Sequence, residues 1–183
     1  MNDIMKRTWL GYARKNGKKG IRNRLLVIYT VKCAEHVARQ IVERSGSDDV
    51  ELVGFDGCTD NQYAVNQIIS LIRHPNVGAV LAVGLGCEYM QPEWLAKIAA
   101  EEDKSADWFF IQNEGGTQKA IDRGLQWIGR TLEVLKNTPR VEMGFSDLVI
   151  GAECGGSDYT SGLAGNEVVG RFFDRLVDAG GSA

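Results

Sequence analysis

Each of the four cysteines closes an apolar run: Cys33 after LLVIYTVK, Cys58 after ELVGFDG, Cys87 after AVLAVGLG and Cys154 after DLVIGAE. Cysteine packs as a small hydrophobe, so chance would scatter it through core positions. Repetition at the ends of apolar runs points instead to one shared site. Thiolates suit iron, as Fe2+ or as an iron–sulfur cluster. Nearby carboxylates such as Glu88, Glu114 and Asp158 suit a harder divalent ion or proton transfer. The plain alternative is four unconnected packing cysteines.

Three glycine-bearing segments carry the other candidate groups. In GLGCE (84–88) a thiol and an acid stand side by side in a tight turn, Cys87 and Glu88. In QNEGGTQKA (112–120), Gly115 and Gly116 precede Thr117, which reads as an N-cap, with Gln112 and Glu114 before it. Free N–H groups at that helix start favour a carboxylate or phosphate, and Lys119 adds positive charge. The pattern is not GxGxxG, so a dinucleotide site is not indicated. ECGGSDYTSG (153–162) sets Cys154, Gly155, Gly156, Ser157 and Asp158 together, which suits a polyhydroxylated anion or a hard cation. Ordinary capped turns are the alternative for each segment. With only His36 and His74 as histidines, a Cys–His hydrolase is a minor alternative.

If the apolar runs are parallel strands, their C-terminal ends share the edge where ligands of open α/β sheets bind. All four cysteines are then expected along that edge. Strands are expected at 25–31, 50–55, 77–84, 108–111 and 148–150. Helices are expected at 34–44, 62–73, 92–102, 117–136 and 166–179. This alternation predicts a three-layer, Rossmann-like α/β fold of about five mainly parallel strands with helices on both faces. Residues 1–23, basic and glycine-bearing, read as an N-terminal arm or hairpin. Residues 24–183 read as a single α/β domain, with 137–147 as a surface excursion.

The 183 residues carry 44% hydrophobic and 25% charged side chains and a formal net charge of −3. No global basic field argues for nucleic acid or an anionic membrane surface. No apolar stretch reaches the ~18 residues of a membrane span, and 1–17 lack a signal-peptide core. A cytoplasmic protein with reduced thiols is expected.

GYARKNGKKGIRNRLLVIYTVKC, HPNVGAVLAVGLGCE, IQNEGGTQKAI and LVIGAECGGSDYTSGLAGN together resemble the altronate/galactarate dehydratase family, to which sulfolactate sulfo-lyase large subunits are related. The resemblance runs in order from Gly11 to Gly181. It implies a hydro-lyase that converts an aldonic or aldaric acid to a 2-keto-3-deoxy acid with a divalent metal, usually iron. Carried onto this chain, the family signature falls on Arg22, Asn23, Cys33, Cys58, Cys87, Glu88, Gln112, Glu114, Gly115, Gly116, Thr117, Lys119, Cys154, Gly155, Gly156, Ser157 and Asp158. On this reading the cysteines are metal ligands. Glu88, Glu114, Lys119 and Asp158 are catalytic, and the remaining positions bind substrate. The resemblance departs at Gly54, where members often carry histidine, and at Lys32. The family's large region continues beyond this sequence, so a missing C-terminal region or partner subunit is expected, and a homo-oligomer with it. The alternative is a shortened, non-catalytic module for sugar-acid binding or assembly.

Overall fold

The computed structural model describes residues 7–153, 155, 156 and 158–183. The chain gathers into two compact units. One comprises 12–140, and the other comprises the N-terminal residues to 11 with 141–183.

In the larger unit four parallel strands form one sheet: β3 (Arg24–Tyr29), β4 (Val50–Gly54), β5 (Val77–Gly84) and β6 (Ser105–Phe110), in the order β4-β3-β5-β6. Between them run α1 (Lys32–Ser45), α2 (Gln62–Arg73) and α3 (Pro92–Glu101), and α4 (Thr117–Lys136) follows β6. β5 is buried along all eight residues. That is why its sequence, VGAVLAVG, is an unbroken run of small and aliphatic residues. Alternate strand residues feed two cores, as the two-residue period of a strand requires. Leu25, Val27, Ala79, Leu81 and Val83 pack with Val37 and Ile41 of α1 and Ile121 and Ile128 of α4. Leu26, Ile28, Val80 and Ala82 pack with Ile68 and Ile72 of α2 and Leu95 and Ala99 of α3.

The strand order is not monotonic. β3 joins β4 on one side and β5 on the other, so the chain reverses direction across the sheet between β3 and β5. This is the switch point at which a crevice opens beyond the strands' C-terminal ends.

The opposite edge is closed by the basic arm. The first strand, β1 (Trp9–Ala13), pairs through Tyr12 and Ala13 with β2 (Lys19–Gly20), so the arm is a hairpin. Arg14 Nε donates to Pro75 O at 2.6 Å, and Asn76 Oδ1 accepts from the Ile21 and Arg22 N–H groups at 2.9 and 3.2 Å. A Cβ on Gly20 would collide with Pro75 O, so the hairpin docks only with glycine there.

In the smaller unit β7 (Val141–Met143) pairs antiparallel with β1 through Trp9, Leu10 and Gly11. α5 (Asn166–Asp178) follows. Two sequence expectations are corrected here. The sheet has four strands rather than five: 148–150 forms only a bridge from Val149 to Ser182. The run is three residues long and leaves Val149 81% exposed, so it has no apolar face to bury. The 137–147 excursion, in turn, contains β7, too short a run to announce itself. A smaller shift affects β6, which starts at Ser105 rather than 108. As an edge strand with one buried residue, Phe109, it needs no continuous apolar run. Among the described residues no helix is long and apolar enough to cross a membrane.

Lys104, immediately before β6, is 6% exposed, and its ammonium donates to Ile72 O and, at 2.9 Å, to His74 O. It thereby caps the end of α2. Burial, reinforced by Arg14, pushes its pKa down to about 8 from an ordinary 10.5. Between those two values the unfolded chain holds a proton that the folded protein has lost, so stability rises with pH across the window. The gain expected is about 3 kcal/mol. Comparing urea unfolding of the native protein and Lys104→Met from pH 7.5 to 10.5 should show this rise in the native protein and its loss in the variant.

Candidate functional site

The loops that leave β3 and β5 meet at the switch point through one buried carboxylate. Glu88 is 2% exposed. Its Oε1 accepts from the Thr30 hydroxyl at 2.7 Å and from the Leu85 N–H at 3.0 Å. Its Oε2 accepts from the Gly86 and Cys87 N–H groups at 2.8 and 3.0 Å. Thr30 also reaches Val83 O at 3.3 Å, so the β3 exit is tied to β5 twice. A Cβ on Gly84 would strike Glu88 Oε1, and Gly86 has φ 138°, which favours glycine. Both glycines of GLG are thus required for the loop to wrap its own carboxylate. Burial, the largest single influence, raises the carboxyl pKa. The hydrogen bonds from Thr30 and the loop backbone together outweigh it and hold the pKa below its ordinary value. Glu88 therefore organises this loop with both oxygens engaged.

Around this knot the loops lie at the sheet's C-terminal edge. Cys33 stands in the first turn of α1, Cys58 between β4 and α2, and Cys87 between β5 and α3; all three are exposed. The Tyr89 N–H donates to Cys58 O at 3.0 Å, joining the second and third of these loops. The phenol of Tyr29 donates to Asp56 at 3.0 Å, and the Lys32 ammonium lies 2.6 Å from Glu35 and 3.4 Å from Asp56. The next loop folds over in turn: Gln112 N–H donates to Leu85 O at 3.4 Å, and a Cβ on Gly86 would lie 2.7 Å from Gln112 Oε1. Glu114 pairs with Arg123, which also donates to Trp108 O at 3.0 Å and lies over the Phe109 ring. The first helical residue of α4 is Thr117, and the N-cap is Gly116 rather than the Thr117 that the sequence suggested. With no side-chain cap, the N–H groups of that first turn face outward beside the exposed Lys119, whose chain folds back towards Gly115.

Arg22 and Asn23 stand apart from these loops, and a further expected set belongs to the smaller unit. Arg22 and Asn23 precede β3, at the sheet's other edge, roughly 20 Å from the strand exits over a six-residue strand. Asn23 is fully occupied there: Oδ1 accepts from Arg14 at 2.9 Å, and Nδ2 donates to Leu135 O and Thr138 Oγ1, both at 3.2 Å. In the smaller unit, Asp158 Oδ1 accepts from the Thr160 N–H and hydroxyl at 2.7 and 2.5 Å and from the Ser161 N–H at 3.1 Å. Ser161 Oγ in turn accepts from the Asp158 N–H at 3.2 Å. The Thr160 hydroxyl above all keeps the Asp158 carboxyl below its ordinary pKa. Asp158 thus caps the helical turn that leads into α5. Gly155 and Gly156 beside it are exposed, while Cys154 and Ser157 lie outside the described residues.

Of the four cysteines expected to hold a metal, three lie among the described residues. Among the described residues no three His, Cys, Asp or Glu side chains gather into a group that could hold an ion. Glu88 and Glu114, two of the acids expected to serve there, are engaged in the contacts above.

Replacing Glu88 by glutamine sets an amide N–H2 against backbone N–H donors that now meet an acceptor. Glu88→Gln is expected to destabilise the protein by about 3 kcal/mol and lower its melting temperature by roughly 6–12 °C. Because the folded carboxyl pKa is depressed, its contribution is present above the ordinary value of 4.5 and lost as pH falls through the folded one. Thermal melts from pH 7 to 3 should show a steeper acid loss in the native protein than in the variant.

Comparison with known proteins accounts for the pattern. Residues 11–136 match the family model described as D-galactarate dehydratase/altronate hydrolase, second domain. Residues 145–183 match D-galactarate/altronate dehydratase, C-terminal. An altronate dehydratase of Escherichia coli K12 is 34% identical over 93% of the chain and 37% of its own length. One of Bacillus subtilis 168 is 32% identical over 96% of the chain and 38% of its own length. The (2R)-sulfolactate sulfo-lyase subunit beta of Chromohalobacter salexigens is 27% identical over 97% of the chain and 46% of its own length. The chain thus spans less than half of each of these relatives. Its motif-bearing loops at the β3/β5 switch point, and both family models in their order, place it in the D-galactarate dehydratase/altronate hydrolase family.

Proposed function

We propose that the C-terminal edge of the β4-β3-β5-β6 sheet is one wall of a hydro-lyase crevice for an aldonic or aldaric acid such as altronate or galactarate. The observation that carries this reading is the Glu88–Thr30 tie at the switch point. It fixes exposed backbone and side chains on both sides of the position where open α/β sheets hold ligands. Lys119 and the uncapped N–H groups of α4 bind a substrate carboxylate, and Gln112 offers an amide to the hydroxyl-bearing carbons. Dehydration then takes the proton α to a carboxylate and expels hydroxide from the β carbon. Because both oxygens of Glu88 are engaged in shaping the loop, this reading gives the proton transfer to groups not tied down within this wall.

Supporting the substrate class are the names of the relatives. Supporting a second, absent wall is the chain's coverage of only 37–38% of the altronate dehydratases. We propose that this wall, in cis or from a partner subunit, completes the ligand set for a divalent metal, iron first. The thiols Cys33, Cys58 and Cys87 would supply the donors on this side. A cytoplasmic homo-oligomer is the setting that fits this chemistry. One observation favours the alternative of a non-catalytic sugar-acid-binding or assembly module: no three potential ligands gather among the described residues.

Residues 1–183 alone, supplied anaerobically with iron, are expected to give no 2-keto-3-deoxy acid from altronate or galactarate. Adding the remaining family region in trans should give turnover. Lys119→Ala in that mixture should raise KM about tenfold, the loss of ~1.4 kcal/mol of charge-assisted binding. Turnover by the chain alone would overturn the two-wall reading, and none with the partner present would favour the binding module.

A further inference from the structure

The edge opposite the crevice holds a second concavity, and its chemistry is cationic. A cavity of ≈ 230 Å³ opens between the hairpin, the turn before β4 and the end of α4. Its lining includes Arg22, Lys136, Arg140, Tyr12, Asn23 and Asp49. Arg22, just before β3, has no ion-pair partner among the described residues, and it is exposed. Arg140, beyond α4, lies with its guanidinium 5.1 Å from the centre of the Tyr12 ring and likewise pairs with no acid there. Lys136 has Glu133 at 2.7 Å, and Asp49, the one acid in the lining, is answered by Arg24 at 3.1 Å. Positive charge is thus in excess, and two of its three sources are uncompensated.

The cavity is also built rather than incidental. Asn23 forms its floor with every polar atom held: Arg14 donates to it, and it donates to the α4 carbonyl of Leu135 and to Thr138. A Cβ on Gly78 would collide with Asn23 Oδ1, so the floor has room only because β5 carries glycine at that point. Asn76 fixes the backbone of Ile21 and Arg22 through two N–H bonds, which sets Arg22 at the rim. The Tyr12 ring and the apolar side of α4 at Leu132 supply walls for a carbon skeleton.

The geometry points to a second ligand site at the N-terminal edge of the sheet, taking a small organic dianion between Arg22 and Arg140. It goes beyond the crevice proposed above and does not depend on it. Cations on two separate elements suit two anionic groups, and guanidinium groups hold carboxylate or phosphate by paired hydrogen bonds. A volume of ≈ 230 Å³ limits the occupant to a small metabolite rather than a nucleotide or a chain.

The full chain should be titrated calorimetrically with tartrate and, separately, with inorganic phosphate, at two ionic strengths. Saturable one-site binding of either probe, weakened at least tenfold in Arg22→Ala/Arg140→Ala, is the expected result. Retention within about threefold in the double lysine variant and no change in Lys119→Ala complete it. Tartrate alone binding marks a dicarboxylate site, and phosphate also binding marks one open to phosphorylated acids. Thermal melts of the variants within 2 °C of the native protein, on the order of 1 kcal/mol, separate lost binding from lost folding. Absence of saturable binding by both probes would overturn the proposal. So would binding that survives the double alanine variant or disappears in Lys119→Ala.

Discussion

A carboxylate buried at the point where a sheet reverses its strand order is the constraint from which this structure follows. An ionised acid taken out of water is costly unless it is hydrogen-bonded at both oxygens. Glu88 meets that condition only if the β5 exit curls back on itself, because three of its four donors are the N–H groups of Leu85, Gly86 and Cys87. The fourth donor is Thr30, at the end of the neighbouring strand. The same bonds therefore shape one loop and fasten it to the next. Gly84 and Gly86 are consequences of this arrangement, not independent features, since side chains there would displace the carboxylate or Gln112.

Within the larger unit, the two edges of the sheet divide the family motifs between them. At the C-terminal edge, the motif residues leave exposed thiols, backbone and Lys119 around the Glu88 knot. At the other edge, GYARKNGKKGIRN is mostly architecture: Arg14, Gly20 and Asn23 lock a hairpin onto the turn before β5. The electrostatic character follows. Arg14, Lys104 and His74 crowd one end of the sheet, where Lys104 is driven down to about 8 and His74 is lowered by burial and then by Lys104. Backbone carbonyls accept from Arg14 and Lys104 at that end, and among the described residues Arg22 and Arg140 have no ion-pair partner.

Much of the fold was legible because period and composition report burial directly. The run AVLAV could only be a central strand, and the helical spacing of Val37 with Ile41, and of Ile121 with Ile128, named the faces that now pack. Elements held by few buried residues were not legible. β7 has three residues, and 148–150 looked like a strand until no sheet accepted it. The site was legible as a set of loops but not as a set of roles. Nothing in the letters GLGCE says that Glu88 turns inward, though the pairing of an acid with two glycines two and four residues earlier is the signal that could have found it. Likewise Gly54 proves to be the space over which the Tyr29 ring lies; a Cβ there would strike that ring. The glycine and the tyrosine are one local solution, visible only when the two strands are side by side.

The same geometry bears on what the exposed thiols can do. Cys33, in the first turn of α1, and Cys58 and Cys87, on two loops, sit at one edge, each outside the core. A buried cysteine in that position would be packing, but an exposed one contributes no hydrophobic stabilisation and keeps its chemistry. Adjacent parallel strands lie ~4.8 Å apart, so ligands carried by consecutive exits converge only if their loops bend together. Here the Glu88 knot bends one loop back on itself, and the Tyr89–Cys58 backbone bond draws the next towards it. The loops are thereby tied to one another, while among the described residues the thiols do not close into a set. A surface of this kind is preorganised on one side only, and a metal's affinity depends on how many deprotonated ligands stand ready at once. On the function proposed above, any metal centre would be completed by groups of a facing surface, while the bonds of Glu88 and Tyr89 hold the loops of this edge in place.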